Sequence, residues 1–264
     1  MEDLLKITKN VSKEAFKVAE EYWPGPLTMI FEKNEKVPYG TTGGLNTVAV
    51  RMPSHEIARA VIDAGGGYIA APSANTSGRP SPTAAEHVKE DMDGRIDMIV
   101  DGGDVEIGVE STILDMTVTP PMILRPGAVT KEMLEDLIGE VAEDVALIDP
   151  DSKKKPKAPG MKYRHYAPKA ELLIVEGKMD QVIETINRMA KEQIGKGYKV
   201  GIIGTEESVA SYKEGDVKSI GTREDESTIA VHLYGILREF DQDEVDYIYS
   251  ESFATGGIGS AIMN

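Results

Sequence analysis

A break in composition constrains this chain more than any other feature. From Ser152 to Lys169 there are seven Lys or Arg, three prolines (Pro156, Pro159, Pro168) and no Asp or Glu. The chain as a whole is acidic: 29 Lys plus Arg against 45 Asp plus Glu give a formal charge of −16 over 264 residues. A cationic, proline-containing stretch inside an acidic protein reads as an extended linker. The chain therefore divides into two folded parts. With 41% hydrophobic and 28% charged residues, it has the balance of a globular protein that buries a real core.

Hydropathy periodicity supplies the elements of each part. Ser12 caps a helix whose Ala15, Val18, Ala19 and Tyr22 fall at helical spacing, and Pro24 stops it. Leu27 to Phe31 reads as a strand. Thr47 to Met52 alternates: Val48, Val50 and Met52 take one face, and Thr47, Ala49 and Arg51 the other. A helix from His55 to Ala64 and a strand from Tyr68 to Ala71 follow. Thr83 and Glu86 carry a capping-box signature. Strands are predicted at Met98 to Val100, Thr112 to Leu114 and Met122 to Leu124, and Thr130 caps a helix ending at Gly139. Beyond the linker the pattern is strand (Leu172 to Val175), helix (Asp180 to Lys191), strand (Lys199 to Ile203), helix (Ile229 to Phe240), strand (Tyr247 to Tyr249). Strands alternating with helices predict a small parallel α/β sheet, so the fold class is α/β in both parts.

Several function classes are excluded. A net charge of −16 repels polyphosphate chains and argues against unaided nucleic-acid binding. With no cysteine, thiol nucleophiles, disulfides and thiolate zinc sites are ruled out. The sequence has neither an apolar run of membrane-spanning length nor a signal-peptide pattern after Met1, so the cytoplasm is the expected compartment. There is no phosphate-loop motif and no nucleophile elbow. Gly257-Ile258-Gly259 lacks the third glycine of a dinucleotide fingerprint and leaves no room for a following helix.

Polar residues at strand ends are the remaining candidates. Ala71-Pro72-Ser73-Ala74-Asn75-Thr76-Ser77-Gly78 follows a predicted strand and precedes a predicted helix, where open α/β sheets bind ligands. Ser73 and Asn75 suit a phosphate or carboxylate, though an ordinary turn uses the same residue types. Arg51 ends a strand on the face of Thr47, a position for a bidentate grip on an anion or for a surface ion pair. Gly108-Val109-Glu110-Ser111-Thr112 and Leu124-Arg125-Pro126-Gly127 set Ser111 and Arg125 beside hydrophobic strands. The linker core from Pro159 to Pro168 reads as a tether or as a lid over a polyanion.

Taken in order, these stretches resemble one family. Tyr22-Trp23-Pro24-Gly25-Pro26-Leu27-Thr28, Thr47-Val48-Ala49-Val50-Arg51-Met52-Pro53, the Ala71–Gly78 motif, Val109-Glu110-Ser111-Thr112-Ile113 and Leu124-Arg125-Pro126-Gly127 are similar to those of threonylcarbamoyl-AMP synthases. The Tyr163-Arg164-His165-Tyr166-Ala167-Pro168 linker resembles that of the long two-domain form, Sua5. The resemblance implies a YrdC-like twisted open α/β sheet over 1–148, a linker or lid over 149–169 and a small Rossmann-like α/β domain over 170–264. It also implies an ATP-dependent enzyme. L-Threonine and bicarbonate give an N-carboxy threonine that attacks the α-phosphate of ATP, forming threonylcarbamoyl-adenylate and pyrophosphate. Separate transfer proteins then modify tRNA.

By the same resemblance Arg51, Ala71 and Ser111 bind threonine, and Thr47, Ser73, Asn75, Ser81, Arg125 and Tyr166 bind ATP. Mg²⁺ accompanies the nucleotide, and no protein nucleophile is expected. The family's Thr-Glu-Thr-x-Tyr-Gly-Leu-like stretch and Lys-x-Arg-Pro motif have no counterpart before Trp23, and the family tail normally continues beyond Asn264. The expectation is a chain shortened at both ends. The alternative reading is a non-catalytic nucleotide- or RNA-binding module of the same fold.

Overall fold

The computed structural model describes residues 2–144 and 167–263. By internal contacts these form two units, residues 2–72 with 110–144 and residues 73–109 with 167–263. The sequence-based boundary at 148 does not coincide with that division, because the stretch 73–109 packs with the C-terminal residues. Of the 149–169 linker, all but the last three residues lie outside the described part.

The first unit is built on a mixed six-stranded sheet. Its strands are β1 (Thr8–Lys9), β2 (Leu27–Lys33), β3 (Thr47–Arg51), β4 (Thr112–Asp115), β5 (Met122–Arg125) and β6 (Ala142–Glu143). Central β2 pairs antiparallel with β3 along one edge, and with parallel β4 and antiparallel β1 along the other. The sheet continues through antiparallel β5 to parallel β6. Helix α1 (Glu2–Leu5) opens the chain. Helix α2 (Lys13–Tyr22) is capped by Ser12, whose Oγ accepts the Ala15 N–H at 3.1 Å, and ends at Trp23 before Pro24.

Alternation along β2 sends Leu27, Met29 and Phe31 to one face. There they meet Leu114, Ile123, Ala15, Val18, Ala19 and Leu134 in the main core. Each large side chain so buried contributes about 1.5–3 kcal/mol. The opposite parity of β2 carries Thr28 and Ile30, and Ile30 joins only a small cluster with Ile113 and Leu124. Helix α5 (Lys131–Ile138) is capped by Thr130 and closed at Gly139, as its sequence predicts.

Three expectations need correction. Tyr68 to Ala71 and Met98 to Val100 form no strand. Apolar β-formers do not make a strand without a ladder partner, and neither stretch finds one among the described residues. Their side chains stay open to solvent, Met98 at 76% exposure. The predicted capping box also fails. Helix α4 (Ala85–Met92) has Ala84 at its cap, and the Thr83 N–H is taken by His87 Nδ1 at 3.1 Å. Helix α3 (Glu56–Ala64) forms where expected but buries none of its residues.

The second unit holds a four-stranded parallel sheet in the order β7-β10-β8-β9. These strands are β7 (Glu171–Val175), β8 (Val200–Gly204), β9 (Asp216–Ser219) and β10 (Tyr247–Glu251). β8 is buried throughout, as an inner parallel strand must be. Helix α6 (Met179–Gly195) places Val182, Ile186 and Ala190 against Ile202 and Tyr249. Helix α7 (Glu226–Gln242) places Ile229, Leu237 and Phe240 against Ile203 and Ile248. Gly201 lets the Phe240 ring lie flush on β8, since a Cβ there would sit 2.5 Å from that ring. After the glycines at 256 and 257 a single turn, α8 (Gly259–Ile262), does form. No helix among the described residues is long and apolar enough to cross a membrane.

Candidate active site

Pairing in the first sheet brings two arginines to one level. Arg51 on β3 is opposite Thr28 on β2, Thr28 is level with Ile113 on β4, and Ile113 is opposite Arg125 on β5. Directly opposed antiparallel residues share a face, so Arg51 and Thr28 both lie on the side away from the main core. The Thr28 hydroxyl is 2.8 Å from that of Ser111. Arg125 donates to the Ser111 carbonyl from Nε (3.0 Å) and Nη2 (2.9 Å), and from Nη2 to Ser111 Oγ (3.1 Å). Gly127 makes this seating possible: a Cβ there would stand 2.4 Å from the Thr112 nitrogen and 2.6 Å from the Glu110 carbonyl. Thr112 Oγ1 in turn donates to the Val129 carbonyl at 2.7 Å and pins the same turn.

Arg51 is solvent-exposed and has no ion pair among the described residues. Surrounding protein nevertheless withdraws enough water to lower its pKa, and the neighbouring Arg125 cation lowers it further. Two guanidinium groups held near one another, neither ion-paired to a carboxylate among the described residues, beside the hydroxyls of Thr28 and Ser111, make a site for an anion. A carboxylate or phosphate bound there relieves like-charge repulsion and accepts bidentate hydrogen bonds. Thr47 opens β3, four residues before Arg51 and therefore on the same face. Ala71, exposed, belongs to the same unit.

The second unit carries Ser73, Asn75 and Ser81 on one loop. Ser73 is exposed, and Asn75 and Ser81 are half-buried. Asn75 Nδ2 donates to the carbonyls of Thr76 (3.0 Å) and Arg79 (3.1 Å), which closes the loop, while its Oδ1 is buried with no hydrogen-bond partner among the described residues. Asp91 anchors the loop from α4: it accepts the Thr76 N–H at 3.2 Å and pairs with Arg79. Burial alone would raise the Asp91 pKa. The Arg238 and Thr76 hydrogen bonds and the charges of Arg238 and Arg79 outweigh burial and hold it below its ordinary value.

The structure thus joins Arg51, Ser111 and Arg125 in one unit and Ser73, Asn75 and Ser81 in the other. Tyr166 lies outside the described residues. Sequence reasoning passed over Thr28, although its place between inward-facing Leu27 and Met29 marks it as outward. It also passed over Asp91 and Arg238, which carry no local motif. Among the described residues no group of three or more His, Asp or Glu side chains is placed to hold a metal ion.

The comparisons fit this arrangement of anion-binding groups. A family model described as "Telomere recombination" matches residues 1–127, and one described as "Threonylcarbamoyl-AMP synthase, C-terminal domain" matches residues 129–264. The threonylcarbamoyl-AMP synthases of Pyrococcus abyssi and Bacillus subtilis are each 47% identical over 100% of this chain, and over 75% and 74% of their own lengths. That of Schizosaccharomyces pombe is 35% identical over 96% of this chain and 65% of its own. The crystal structure of P. abyssi Sua5 complexed with L-threonine matches with a TM-score of 0.93 and 45% identity, over 100% of this chain and 75% of that one. With both halves matched and near-half identity throughout, this chain belongs to the threonylcarbamoyl-AMP synthase family, in its two-domain Sua5 form.

Proposed function

We propose that the protein makes threonylcarbamoyl-adenylate and pyrophosphate from L-threonine, bicarbonate and ATP. The observation that carries this reading is the Arg51–Arg125 pair beside Ser111. It is a cationic, hydroxyl-lined patch with no ion-paired acid among the described residues, in a chain of this family. Arg51, Ser111 and the Ala71 backbone hold threonine. Thr47, Ser73, Asn75, Ser81, Arg125 and Tyr166 hold ATP. The N-carboxylate oxygen of the carboxylated amino acid bonds to the α-phosphorus, and the bond from that phosphorus to the bridging oxygen breaks as pyrophosphate leaves. Both partners are anionic, so positioning and charge neutralisation supply the rate, and the protein needs no nucleophile of its own. Mg²⁺ enters with the triphosphate as part of the substrate. The adenylate then passes to separate proteins that transfer its threonylcarbamoyl group to tRNA.

The test is pyrophosphate release from MgATP with each co-substrate withheld in turn. Release that requires both threonine and bicarbonate is expected. Equal release without threonine overturns the reading, and nucleotide binding with no release at all supports the non-catalytic module instead.

A further inference from the structure

Helix α7 holds a fully buried arginine that the chemistry above does not use. Arg238 is 0% exposed. Its Nε and Nη2 donate to the Pro80 carbonyl at 3.1 and 2.6 Å, and Nη2 also meets Asp91 Oδ2 at 2.8 Å. Pro80 immediately precedes Ser81. Asp91 in turn accepts the N–H of Thr76, the residue after Asn75, and pairs with Arg79, whose carbonyl receives Asn75 Nδ2. Each route from Arg238 into the loop therefore ends beside a residue assigned to ATP.

The same stripe of α7 makes one further close approach, at Gly108, and faces Thr83 at ordinary contact distance. A Cβ at Gly108 would lie 2.1 Å from the Ala230 carbonyl and 2.3 Å from Val231 Cα, and a Cβ at Gly235 would lie 3.9 Å from Thr83 Oγ1. Positions 231, 235 and 238 fall at helical spacing on one side of α7. The stretch 73–109 is thus fastened to this helix near both its ends. One turn beyond Arg238, Asp241 accepts the Lys169 N–H at 2.7 Å, three residues after Tyr166. Burying a guanidinium is costly, and an apolar side chain of like volume often serves stability as well or better. Stability alone does not call for an arginine here. A two-directional donor that sets Pro80 and Asp91 at once does.

We propose that Arg238 is a positioning residue for the nucleotide: without touching substrate, it fixes the Asn75–Ser81 loop through the Pro80 carbonyl and Asp91. The inference rests on the reading that this loop contacts ATP. The role gives α7, in the half matched by the C-terminal family model, a part in nucleotide affinity exerted through the loop.

The test compares the full-length wild type with Arg238→Lys, Arg238→Met and the double variant R238M/D91N. The double variant removes Arg238 together with its Asp91 carboxylate partner and keeps an acceptor for the Thr76 N–H. Calorimetric titration with MgATP and separately with L-threonine is read beside hydrogen exchange of residues 74–82. In R238M and the double variant, ATP affinity is expected to fall about tenfold, equivalent to about 1.4 kcal/mol. Threonine affinity should stay within about twofold, exchange in 74–82 should rise, and R238K should recover part of the loss. A folded double variant that binds ATP like the wild type overturns the inference, and so does a parallel fall in both affinities. A wild type that binds threonine but no ATP overturns the functional reading itself, and the nucleotide role of Arg238 with it.

Discussion

Arg51→Ala separates binding from stability more cleanly than any other change in this protein. The residue is exposed overall although surrounding protein partly desolvates its charge, it lacks an ion pair among the described residues, and it faces the like charge of Arg125. Removing it breaks no ion pair among the described residues and relieves both a repulsion and the partial desolvation of a charge, so the folded state should lose little; changes at exposed residues stay within about 0.5 kcal/mol. Binding is another matter. A hydrogen bond to a charged group is worth about 1.5–3 kcal/mol, and the bidentate grip on the threonine carboxylate proposed for Arg51 sits at the upper end of that range. At about 1.4 kcal/mol per tenfold, a loss of about 3 kcal/mol weakens threonine binding roughly 100-fold. Calorimetric titration with L-threonine and a thermal melt on the same sample read the two effects side by side. Unchanged threonine affinity, or a melting temperature several degrees lower, would refute the argument. The first outcome would mean that the unpaired cation has no anion to meet, and the second that it has a structural partner.

Three further outcomes follow from the same geometry. Arg125→Gln loses the hydrogen bonds that span the Ser111 carbonyl and hydroxyl, so it should lower stability by about 1–2 kcal/mol in a denaturant titration and raise the KM for ATP more than that for threonine. Gly127→Ala drives a Cβ to within 2.4 Å of the Thr112 nitrogen, and a loss of about 3 kcal/mol is expected; a melt within 1–2 °C of wild type would show that the 125–127 turn yields easily. His87 has its pKa lowered below 6.5, first by burial and then by the Arg238 charge, while its Nδ1 accepts the Thr83 N–H. A folded-state pKa below the unfolded value makes its contribution complete above about pH 6.5, and that contribution is lost as pH falls through the depressed value. Stability measured from pH 7.5 down to 5 should therefore decline less in His87→Asn than in wild type, and identical slopes would remove His87 from the account.

Long periodic segments were legible and short or unpaired ones were not. The alternation of β3 put Arg51 and Thr47 on one face, and the Ser12 and Thr130 caps fixed two helix starts, because each signal lies within a few residues. β1 and β6 are two residues long and have no period to read. β9, Asp-Val-Lys-Ser, is a half-exposed edge strand whose residue types suit a loop equally well. The stretches at 68–71 and 98–100 err in the opposite direction: their composition favours a strand, but a ladder needs a neighbour that composition cannot supply. Arg238 was invisible for a related reason. Periodicity assigns an arginine in an apolar helix to solvent, whereas its partner Pro80 stands 158 residues away in the chain.

The three arginines also explain how so acidic a protein presents a cationic site. Residue type is the same at 51, 125 and 238, and only the partners differ. Arg238 is paired with Asp91 and fully buried, so its charge is spent inside the fold. Arg125 is held by the Ser111 carbonyl and hydroxyl, neutral acceptors that fix its geometry and leave its charge uncancelled. Among the described residues, Arg51 is held by its strand alone. Lysine substitution should therefore rank them differently. Lysine retains a charge at every position but loses the planar fork. At 238 it cannot span Pro80 and Asp91 together, at 125 it gives up the two-nitrogen clasp on Ser111, and at 51 it sacrifices only the bidentate ligand contact proposed for that residue. Stability should fall most for Arg238→Lys, less for Arg125→Lys and hardly at all for Arg51→Lys. The opposite order in a denaturant series would mean that the sheet, and not the ligand, accounts for the exposed cation.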